Sequence, residues 1–507
     1  FAGKHDINLM AGYENYYEYI EELGADRDGY VLTNFPYLNN GPKDLIGNSG
    51  KGKEYAYRSY FGRVMYSYAD RYLFQANIRH DGSSRFAKKH RWGTFPSFSA
   101  GWVLSEENFM KNLNWDWLSF LKIRATWGAL GNERIGDFPY MSTIAFGNTI
   151  FYQNNGIYFD QTASQQKYAI ENVTWEKTES TDIGLDISFL NNRLRVNGDY
   201  YWKNTKDMLL AMAIPDFLGF SDPDVNAGKM STKGYELNVS WNDHIGDFSY
   251  GIAINFSDFT SKMGDLQGTQ FLGDKVKMEG SEFNEWYGYV SDGLFLTEED
   301  LKNSPKINDK NTQLGDIKYK DISGPDGVPD GKISPEYDRV LLGSSLPHFL
   351  YGGNINLGYK NFDLSLAFQG VGKQNARLAR EMVEPFRNNY GNFPAIIDGN
   401  YWSPYNTDEQ NAVAKYPRLT HVNKSSNYAM SDYWLFNGGY FRLKNITLGY
   451  TFPKEWMNAI GIKGARIYAS ASDLFCLSKY PKGWDPEMGV SEYPITTSIL
   501  LGVSVNF

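Results

Sequence analysis

The chain has 507 residues and a formal net charge of −9, and this acidic balance argues against a nucleic-acid partner. Its single cysteine, Cys476, excludes an intrachain disulfide framework and a metal site built on cysteines. No apolar run approaches the length of about 18 residues that a membrane helix needs. Aromatic residues nevertheless make up 16% of the chain and glycines number 50, a composition that suits an all-β protein.

Segments with an apolar residue at every second position recur along the chain, and we interpret them as strands. They include YLFQANIR at 72–79, DIGLDISF at 182–189, RLRVNGDYYW at 193–202, YELNVSW at 235–241, FSYGIAINF at 248–256 and FDLSLAFQ at 362–369. The alternation predicts that Ile183, Leu185, Leu194, Val196, Ile252 and Leu364 face lipid, and that Asp186, Arg195, Asp199 and Asp363 face a lumen. A charged second face is typical of a water-filled lumen rather than of a packed sandwich core.

Short and long connections between these segments follow each other in strict alternation. The short ones are 69–71, 191–192, 242–247 and 360–361, with moderate ones at 106–116 and 453–463. The long ones are 22–53, 82–92, 131–173, 207–230, 260–345, 373–437 and 477–494. In an up-and-down sheet this order places all short turns on one side and all long loops on the other, as in outer-membrane barrels. The predicted fold is therefore an all-β, transmembrane antiparallel β-barrel of the outer-membrane type, with about 14 strands in this chain.

The last segment, TTSILLGVSVNF, alternates up to its final phenylalanine. A barrel must close, because an open sheet edge in lipid leaves backbone groups unpaired. We therefore predict that Leu501, Val503, Val505 and Phe507 form the closing strand and the signal that is read during assembly in the membrane. An ordinary strand at the edge of a sheet is the alternative.

Seven longer segments point to one family. They are DGSSRFAKKHRWGTFPSFSAGWVLSEENFM at 81–110, LSFLKIRATWGALGNERIGDFPY at 118–140, ENVTWEKTESTDIGLDISFLNNRLRVNGDYY at 171–201, the run from GDIKYKDISG to LSLAFQG at 315–370, YWSPYNTDEQNAVAKYPR at 401–418, YFRLKNITLGYTFP at 440–453 and WDPEMG at 484–489. In this order they resemble the SusC/RagA family of TonB-dependent outer-membrane transporters.

The resemblance implies a barrel of about 22 strands around an N-terminal plug. Residues 1–507 are then the C-terminal portion of the barrel, without the plug and the first strands, and Phe1 is expected to begin a processed or partial chain. The implied location is the bacterial outer membrane, in contact with lipid and lipopolysaccharide. The implied cargo is an oligosaccharide or a peptide.

The resemblance also implies partners. A SusD-like lipoprotein is expected to cover the mouth as a lid and to contact 260–345 and 373–437. The TonB complex is expected to act through N-terminal regions that this chain does not contain. A dimer of the transporter–lid pair is a further implication.

Two other functions stay open on the sequence alone. The chain could be a complete passive outer-membrane pore of about 14 strands, or a soluble secreted β protein that binds or cleaves glycans. We expect no enzymatic activity, because H-E-x-x-H and G-x-S-x-G are absent and the six histidines are scattered. GNSGKGKE at 47–54 fits G-x-x-x-x-G-K but lacks the following Ser or Thr, so we interpret it as an external loop.

The segment DISGPDGVPDGKISPEYD at 321–338 is similar to a calcium loop. Carboxylates beside a turn that glycine permits are what a hard cation such as Ca²⁺ or Mg²⁺ requires. The ligand candidates are Asp321, Ser323, Asp330 and Asp338, with Asp326 as a substitute. An insertion and two prolines interrupt the calcium-loop template, and a hairpin rich in Asx turns is the alternative. No other cofactor is expected.

Aromatic residues in the long connections are candidates for substrate contact, because aromatic rings stack on sugar rings. They are Trp286, Tyr287, Tyr289, Tyr401, Trp402 and Trp434. Packing within the loops, contact with the lid and a place in the aromatic girdle at the membrane surface are the alternatives.

Overall fold

A computed structural model describes residues 3–153, 156–165, 167–212, 214–268, 272–308, 310–387, 393–489 and 492–507. Its strands, numbered along the chain, are β1 (His5–Arg27), β2 (Ile46–Tyr68), β3 (Tyr72–Ser83), β4 (Trp92–Val103), β5 (Leu118–Asn132), β6 (Ile144–Gln153), β7 (Gly156–Gln165), β8 (Glu176–Phe189), β9 (Leu194–Lys206), β10 (Leu209–Ala211), β11 (Asp224–Asn226), β12 (Met230–Ile245), β13 (Phe248–Met263), β14 (Lys275–Val276), β15 (Glu285–Gly288), β16 (Ser291–Leu294), β17 (Ile317–Tyr319), β18 (Val340–Gly343), β19 (His348–Tyr359), β20 (Phe362–Lys373), β21 (Asn375–Arg377), β22 (Leu435–Asn437), β23 (Tyr440–Thr451), β24 (Gly464–Ser478) and β25 (Ser498–Asn506). The α-helices are α1 (Asn108–Lys111), α2 (Glu298–Asn303), α3 (Arg380–Val383), α4 (Asp408–Ala412), α5 (Lys424–Asn427) and α6 (Lys454–Ala459). Turns of 3₁₀-helix lie at Leu38–Asn40, Leu104–Glu106, Asp216–Leu218, Ala395–Ile397 and Asp432–Trp434.

Fourteen strands form one antiparallel sheet in the order β1-β2-β3-β4-β5-β8-β9-β12-β13-β19-β20-β23-β24-β25. Within this sheet each strand pairs with the one that precedes it and the one that follows it along the chain. The edges are β1 and β25. The predicted all-β fold, the count of about 14 strands and the alternation of short and long connections are confirmed. The interpretation of 47–54 as an external loop is wrong, because these residues belong to β2 and pair with the end of β1. Asn191 and Asn192 both have positive φ in the short turn after β8, a conformation that asparagine tolerates better than most residues.

The chain divides into two compact units. The first comprises Phe1–Glu106, Arg124–Asp182 and Lys203–Met230, and the second comprises Glu107–Ile123, Ile183–Trp202 and Ser231–Phe507.

The first unit has one continuous apolar face on its strands. Leu9 lies opposite Val64, Val64 opposite Ala76, and Ala76 opposite Phe98. Directly opposed residues point to the same side of a sheet, so four strands share this face. The intervening residues, such as Asn77, form a polar face on the other side.

The second unit repeats this arrangement over six strands. One row of directly opposed residues consists of Ile252, Ile355, Leu366, Ile446, Ala471 and Ile499. An adjacent row on the other face consists of Asn356, Ser365, Thr447 and Ser470. Side chains of the polar row bond to each other, with 2.7 Å between Ser365 Oγ and Asn356 Oδ1. Ile252 and Leu364 therefore lie on the apolar face and Asp363 on the polar face, as the alternation predicted.

Candidate functional site

Residues 264–347 and 374–439, the connections after β13 and β20, fold against each other into one structure that we call the loop module. Its buried core consists of Tyr289, Leu294, Ile317, Tyr319, Ile333, Met382, Val383, Ile397, Tyr416, Tyr428 and Trp434. Both connections supply this core, so each covers apolar side chains of the other. The backbones of the two connections also meet, because Tyr289 forms a bridge with Ser431.

A buried carboxylate, Asp316, joins the two connections through charge-assisted hydrogen bonds. Its side chain is fully buried, and Arg418 donates to both of its oxygens over 2.7 and 3.1 Å. The side-chain amides of Asn423 and Asn427 donate to the same oxygens over 2.8 and 2.9 Å. Asn427 in turn accepts from the backbone of Ile317 over 3.0 Å. Donors therefore satisfy both oxygens of the buried carboxylate.

A second buried ion network fixes the last long connection, 479–497, to the polar face of the sheet. Arg442 on β23 is 3% exposed, and its Nη2 donates to both carboxylate oxygens of Asp485 over 2.6 and 2.5 Å. Its Nε lies 2.6 Å from an oxygen of Glu487. Gln369 on β20 donates to the other oxygen of Glu487 over 2.9 Å. The connection is thereby folded over the polar face rather than extended away from it.

One side of the loop module contains a pocket of about 400 Å³. Its lining includes Lys275, Trp286, Gln374, Asn375, Arg377 and Arg380. Trp286 donates its indole N–H to the backbone oxygen of Asn375 over 2.5 Å, which fixes the plane of the ring at the pocket. The Lys275 ammonium lies 4.6 Å from the centre of this ring. Of the six predicted substrate-contact residues, Trp286 is the one that lines this pocket.

The other predicted aromatics lie elsewhere in the loop module. Trp434 is 2% exposed and stacks on Tyr428 with ring centres 5.1 Å apart, and Tyr289 is also buried. Tyr401 and Trp402 are partly buried and pack against the same core. These four residues pack in the core of the loop module or against it. Their contact with substrate stays a prediction. Tyr287 is partly buried and lies 4.5 Å from the guanidinium of Arg339.

The acidic segment 321–338 is organised by hydrogen bonds to its own backbone. Fully buried Asp338 accepts from the N–H groups of Ile322, Ser323 and Ser334 over 2.7, 3.2 and 2.7 Å. Asp321 accepts from Gly331 over 2.6 Å, and Asp330 accepts from Lys332 over 3.0 Å. Asp326 is exposed. This geometry resembles the hairpin of Asx turns.

In the part of the chain that the structure describes, no three His, Cys, Asp or Glu side chains form a group able to hold a metal ion. The oxygens of Asp338 accept from backbone donors, whereas Oδ1 of Asp321 is buried without a hydrogen-bond partner in the described structure. Binding of Ca²⁺ or Mg²⁺ by 321–338 stays a prediction.

A protruding hairpin of β6 and β7 lies in the connection 133–175 of the first unit. Register places Ile144, Phe146, Ile150, Tyr152, Ile157 and Phe159 on one of its faces. These six side chains are between 62% and 82% exposed. An apolar surface of this kind on a long loop indicates a binding surface for another protein.

The family model described as TonB dependent receptor-like, beta-barrel, matches residues 2–474. The chain belongs to the TonB-dependent receptors. TonB-dependent receptor P3 of Formosa agariphila is 30% identical over 96% of this chain and 47% of its own length. TonB-dependent receptor SusC of Bacteroides thetaiotaomicron is 32% identical over 89% of this chain and 43% of its own length. The chain spans about half the length of the relatives it matches, and the resemblance to the SusC/RagA family is confirmed.

The fold of this TonB-dependent receptor chain is also that of a solved transporter. A structure of the RagAB peptide transporter superposes with a TM-score of 0.81 at 23% identity, over 99% of this chain and 53% of that chain. A second structure, of the RagAB peptide importer in its closed-closed state, gives a TM-score of 0.79. The described helices include none with the length and apolar character needed to cross a membrane.

As a TonB-dependent receptor, the chain lies in the outer membrane, and its apolar sheet face is the one that contacts lipid. Aromatic residues border that face in the first unit. Tyr72 stacks on Trp102 at the end with short turns, and His80 stacks on Trp92 towards the long loops. Tyr72 and His80 lie on one strand, about 26 Å apart at the usual strand rise. This spacing fits the aromatic girdles on either side of an apolar band about 25 Å tall.

The terminal strand of the receptor chain belongs to the same apolar face in the second unit. Leu501 lies opposite Ala469, Val503 opposite Ile467, and Val505 opposite Ala465 on β24. Leu501, Val503, Val505 and Phe507 are 84%, 69%, 40% and 82% exposed. Lipid-facing side chains at a sheet edge suit a closing strand. Their role as an assembly signal stays a prediction.

The polar face of the receptor's first unit lines a cavity of about 750 Å³. Arg79 donates to Ser59 and Asp81 there, over 3.0 and 3.2 Å. Asn77 and Gln75 lie on the same face. In the second unit, Asp363 accepts from Arg466 over 2.5 Å, and Asp186 accepts from Asn197 over 2.8 Å. Asp186 and Asp363, two of the predicted lumen-facing carboxylates, thus each accept a hydrogen bond from another strand of the sheet.

The sequence analysis did not identify Asp316, Arg418, Arg442, Asp485 or Lys275. Four of them lie in the segments that carry the family resemblance, at 315–370, 401–418, 440–453 and 484–489. Asp485 in the segment WDPEMG lies 43 positions after Arg442. Their ion pair could be predicted only if the order of the strands were already known. Lys275 has no such local signal.

Proposed function

We propose that this chain is the C-terminal barrel portion of an active importer that carries oligosaccharides or peptides across the outer membrane. The supporting observation is that ordered long connections cover a polar inner wall. Arg442 holds 479–497 over that wall, and the loop module has a core of its own. Polar cargo needs a polar path, and folded loops over the path favour gated transport over a passive pore.

The proposed energy source is TonB, and the name of the matching family, TonB dependent receptor-like, supports this. Coupling would occur through segments that the longer relatives contain and that residues 1–507 do not include. The proposed cargo classes follow the names of the similar proteins, since one solved neighbour is a peptide transporter. The family match and the apolar face of the sheet both favour a membrane protein over a soluble secreted β protein.

A SusD-like surface lipoprotein is the proposed lid. The apolar face of the β6–β7 hairpin is the described surface that most needs such a partner, because six large apolar side chains are exposed on it. Contact through 260–345 and 373–437 stays a prediction. Both surfaces lie in long connections, which face outward in outer-membrane barrels.

Co-purification tests the lid contact. Replacing Phe146 and Phe159 by serine removes the two most exposed rings of the apolar face, at 82% and 75% exposure, and should weaken recovery of the lipoprotein at least tenfold. The matched control is serine at Phe151 and Tyr158, which face each other on the opposite side of the same hairpin. Equal recovery from both double variants would remove the hairpin from the proposal.

Uptake measurements test active import. In cells that express the complete transporter, uptake of its oligosaccharide or peptide should stop when TonB is disrupted. It should fall when the lipoprotein gene is deleted. Uptake that continues unchanged without TonB would support the passive pore instead.

A further inference from the structure

The pocket of the loop module differs in charge from the chain as a whole. The chain is acidic, with a net charge of −9, yet the lining carries Lys275, Arg377 and Arg380 against one carboxylate, Glu381. An acidic partner compensates each of the two arginines. Arg377 pairs with Asp274 over 2.5 Å, and Arg380 pairs with Glu384.

The remaining carboxylate of the lining is also occupied. Glu381 pairs with Arg387. The buried Glu384 has a second cation, Lys424, 3.4 Å away. Counting the lining residues and these partners, the cations outnumber the carboxylates by two.

Lys275 is the unmatched cation at the pocket. Its ammonium lies 4.6 Å from the centre of the Trp286 ring, and none of the described residues gives it an acidic partner. Desolvation lowers the pKa of Lys275, which means that its surroundings disfavour the charge. An incoming anion would remove this penalty. Lys275 is exposed by its surface area, whereas the Nε of Arg377 is buried without a hydrogen-bond partner in the described structure.

The other lining groups suit a sugar. Trp286 contributes an aromatic ring held in place by its bond to Asn375, and a ring of this kind packs against the C–H face of a pyranose. The side-chain amides of Gln374 and Asn375 can both donate to and accept from hydroxyl groups. A volume of about 400 Å³ is at the small end of ligand pockets, which suits one or two sugar rings.

Building on the proposed import function, we propose that this pocket binds an acidic sugar, a uronic acid residue of an oligosaccharide, with its carboxylate beside Lys275 and its ring against Trp286. The pocket would then select anionic over neutral glycans before they enter the lumen. An exposed ion pair between Lys275 and a carboxylate would by itself add little to the binding free energy. Selection of anionic glycans therefore depends on Lys275 together with the Trp286 ring and the neighbouring side-chain amides.

Titration calorimetry on the purified complete transporter in detergent tests the proposal. The probes are trigalacturonate, the same trisaccharide with its carboxyls reduced to alcohols, and triglutamate. The wild type should bind trigalacturonate at least tenfold more tightly than the other two. Lys275→Gln should lose about tenfold in affinity for trigalacturonate, the loss expected for one charge-assisted hydrogen bond, and Lys275→Arg should retain most of it.

The matched control is Lys302→Gln, an exposed lysine on α2 of the same loop module, which should bind as the wild type does. Equal affinity for trigalacturonate and its reduced form, or unchanged binding in Lys275→Gln, would overturn the proposal. Tighter binding of triglutamate would assign the pocket to acidic peptides and overturn the choice of sugar. The calorimetry uses neither TonB nor the lid. A negative result in calorimetry therefore does not contradict the import proposal, and a negative result in the uptake measurement does not contradict sugar binding in the pocket.

Discussion

Arg442 and Asp485 form a bidentate ion pair between strand β23 and the last long connection, with the arginine side chain 3% exposed. Replacing Arg442 by Gln leaves Asp485 and Glu487 without their main cation. A buried pair that loses one partner costs about 3–5 kcal/mol, so the connection should detach from the polar face. Hydrogen–deuterium exchange in 479–489 should rise by two orders of magnitude or more.

The control for Arg442 is Arg466, whose Nε and Nη2 donate to the two oxygens of Asp363, with side chains 33% and 44% exposed. Exposed pairs contribute about 0–1 kcal/mol. Arg466→Gln should therefore leave exchange in 479–489 within a few fold of the wild type. Similar exchange in both variants would show that burial does not set the strength of the Arg442 contact.

Arginine at Ile252 tests which face of the sheet contacts lipid. Ile252 lies on the apolar face, between the aromatic residues Tyr250 and Phe256. A charge there should cost about 2–4 kcal/mol if it lies near the middle of the membrane. Ala253→Arg is the control, because Ala253 lies on the polar face opposite Asn354. Unfolding in urea from lipid vesicles measures both, and an equal loss of stability would contradict the assignment of faces.

Asp316→Asn tests the buried network of the loop module. The substitution keeps the shape of the side chain but leaves Arg418 without its counter-charge, at an expected cost on the order of 3 kcal/mol. Proteases should then cleave both 272–308 and 393–418 faster, because Asp316 joins the two connections. In the control Asp326→Asn, at an exposed position of the same connection, proteases should cleave at the same rate as in the wild type. Faster cleavage in only one connection would show that they unfold separately.

Deletion of Phe507 tests the predicted assembly signal. Its side chain is 82% exposed, so its loss should change the stability of a folded barrel little, on the order of 1–3 kcal/mol at most. Assembly into the outer membrane should nevertheless fall, as measured by heat-modifiable gel mobility at matched expression. Ser504→Ala, on the other face of β25, is the control. A deletion variant that assembles as well as the wild type would make Phe507 a plain strand end.

Binding of calcium by 321–338 can be measured directly. The prediction from sequence is that radioactive Ca²⁺ binds the complete transporter and that Asp321→Asn abolishes this binding. The backbone contacts of Asp338 favour the opposite result, because its oxygens already accept three N–H groups. Equal Ca²⁺ binding by the wild type and Asp321→Asn would exclude the segment as the site.

The faces of the strands could be predicted from sequence, because a period of two is a local property of extended backbone. Ile252 and Asp363 were therefore assigned to their faces without knowledge of their neighbours. The loop module could not be predicted, because its contacts join distant residues. From the sequence, Trp434 and Tyr289 were candidates for contact with a ligand. Only the packing of the two connections against each other shows that these residues form a core. The position of Lys275 beside Trp286 could not be predicted either, because it depends on the pairing of β14 with β15.

The shared core of the loop module limits how such receptors can be diversified. Because 264–347 and 374–439 each cover apolar residues of the other, replacing one connection alone would expose Ile317, Val383 or Trp434 to water. A chimera that exchanges specificity between two relatives should therefore carry both segments together, while β19 and β20 between them can stay with the host. The same constraint applies in evolution. Recombination that separates the two halves of the module would expose its core and would be selected against.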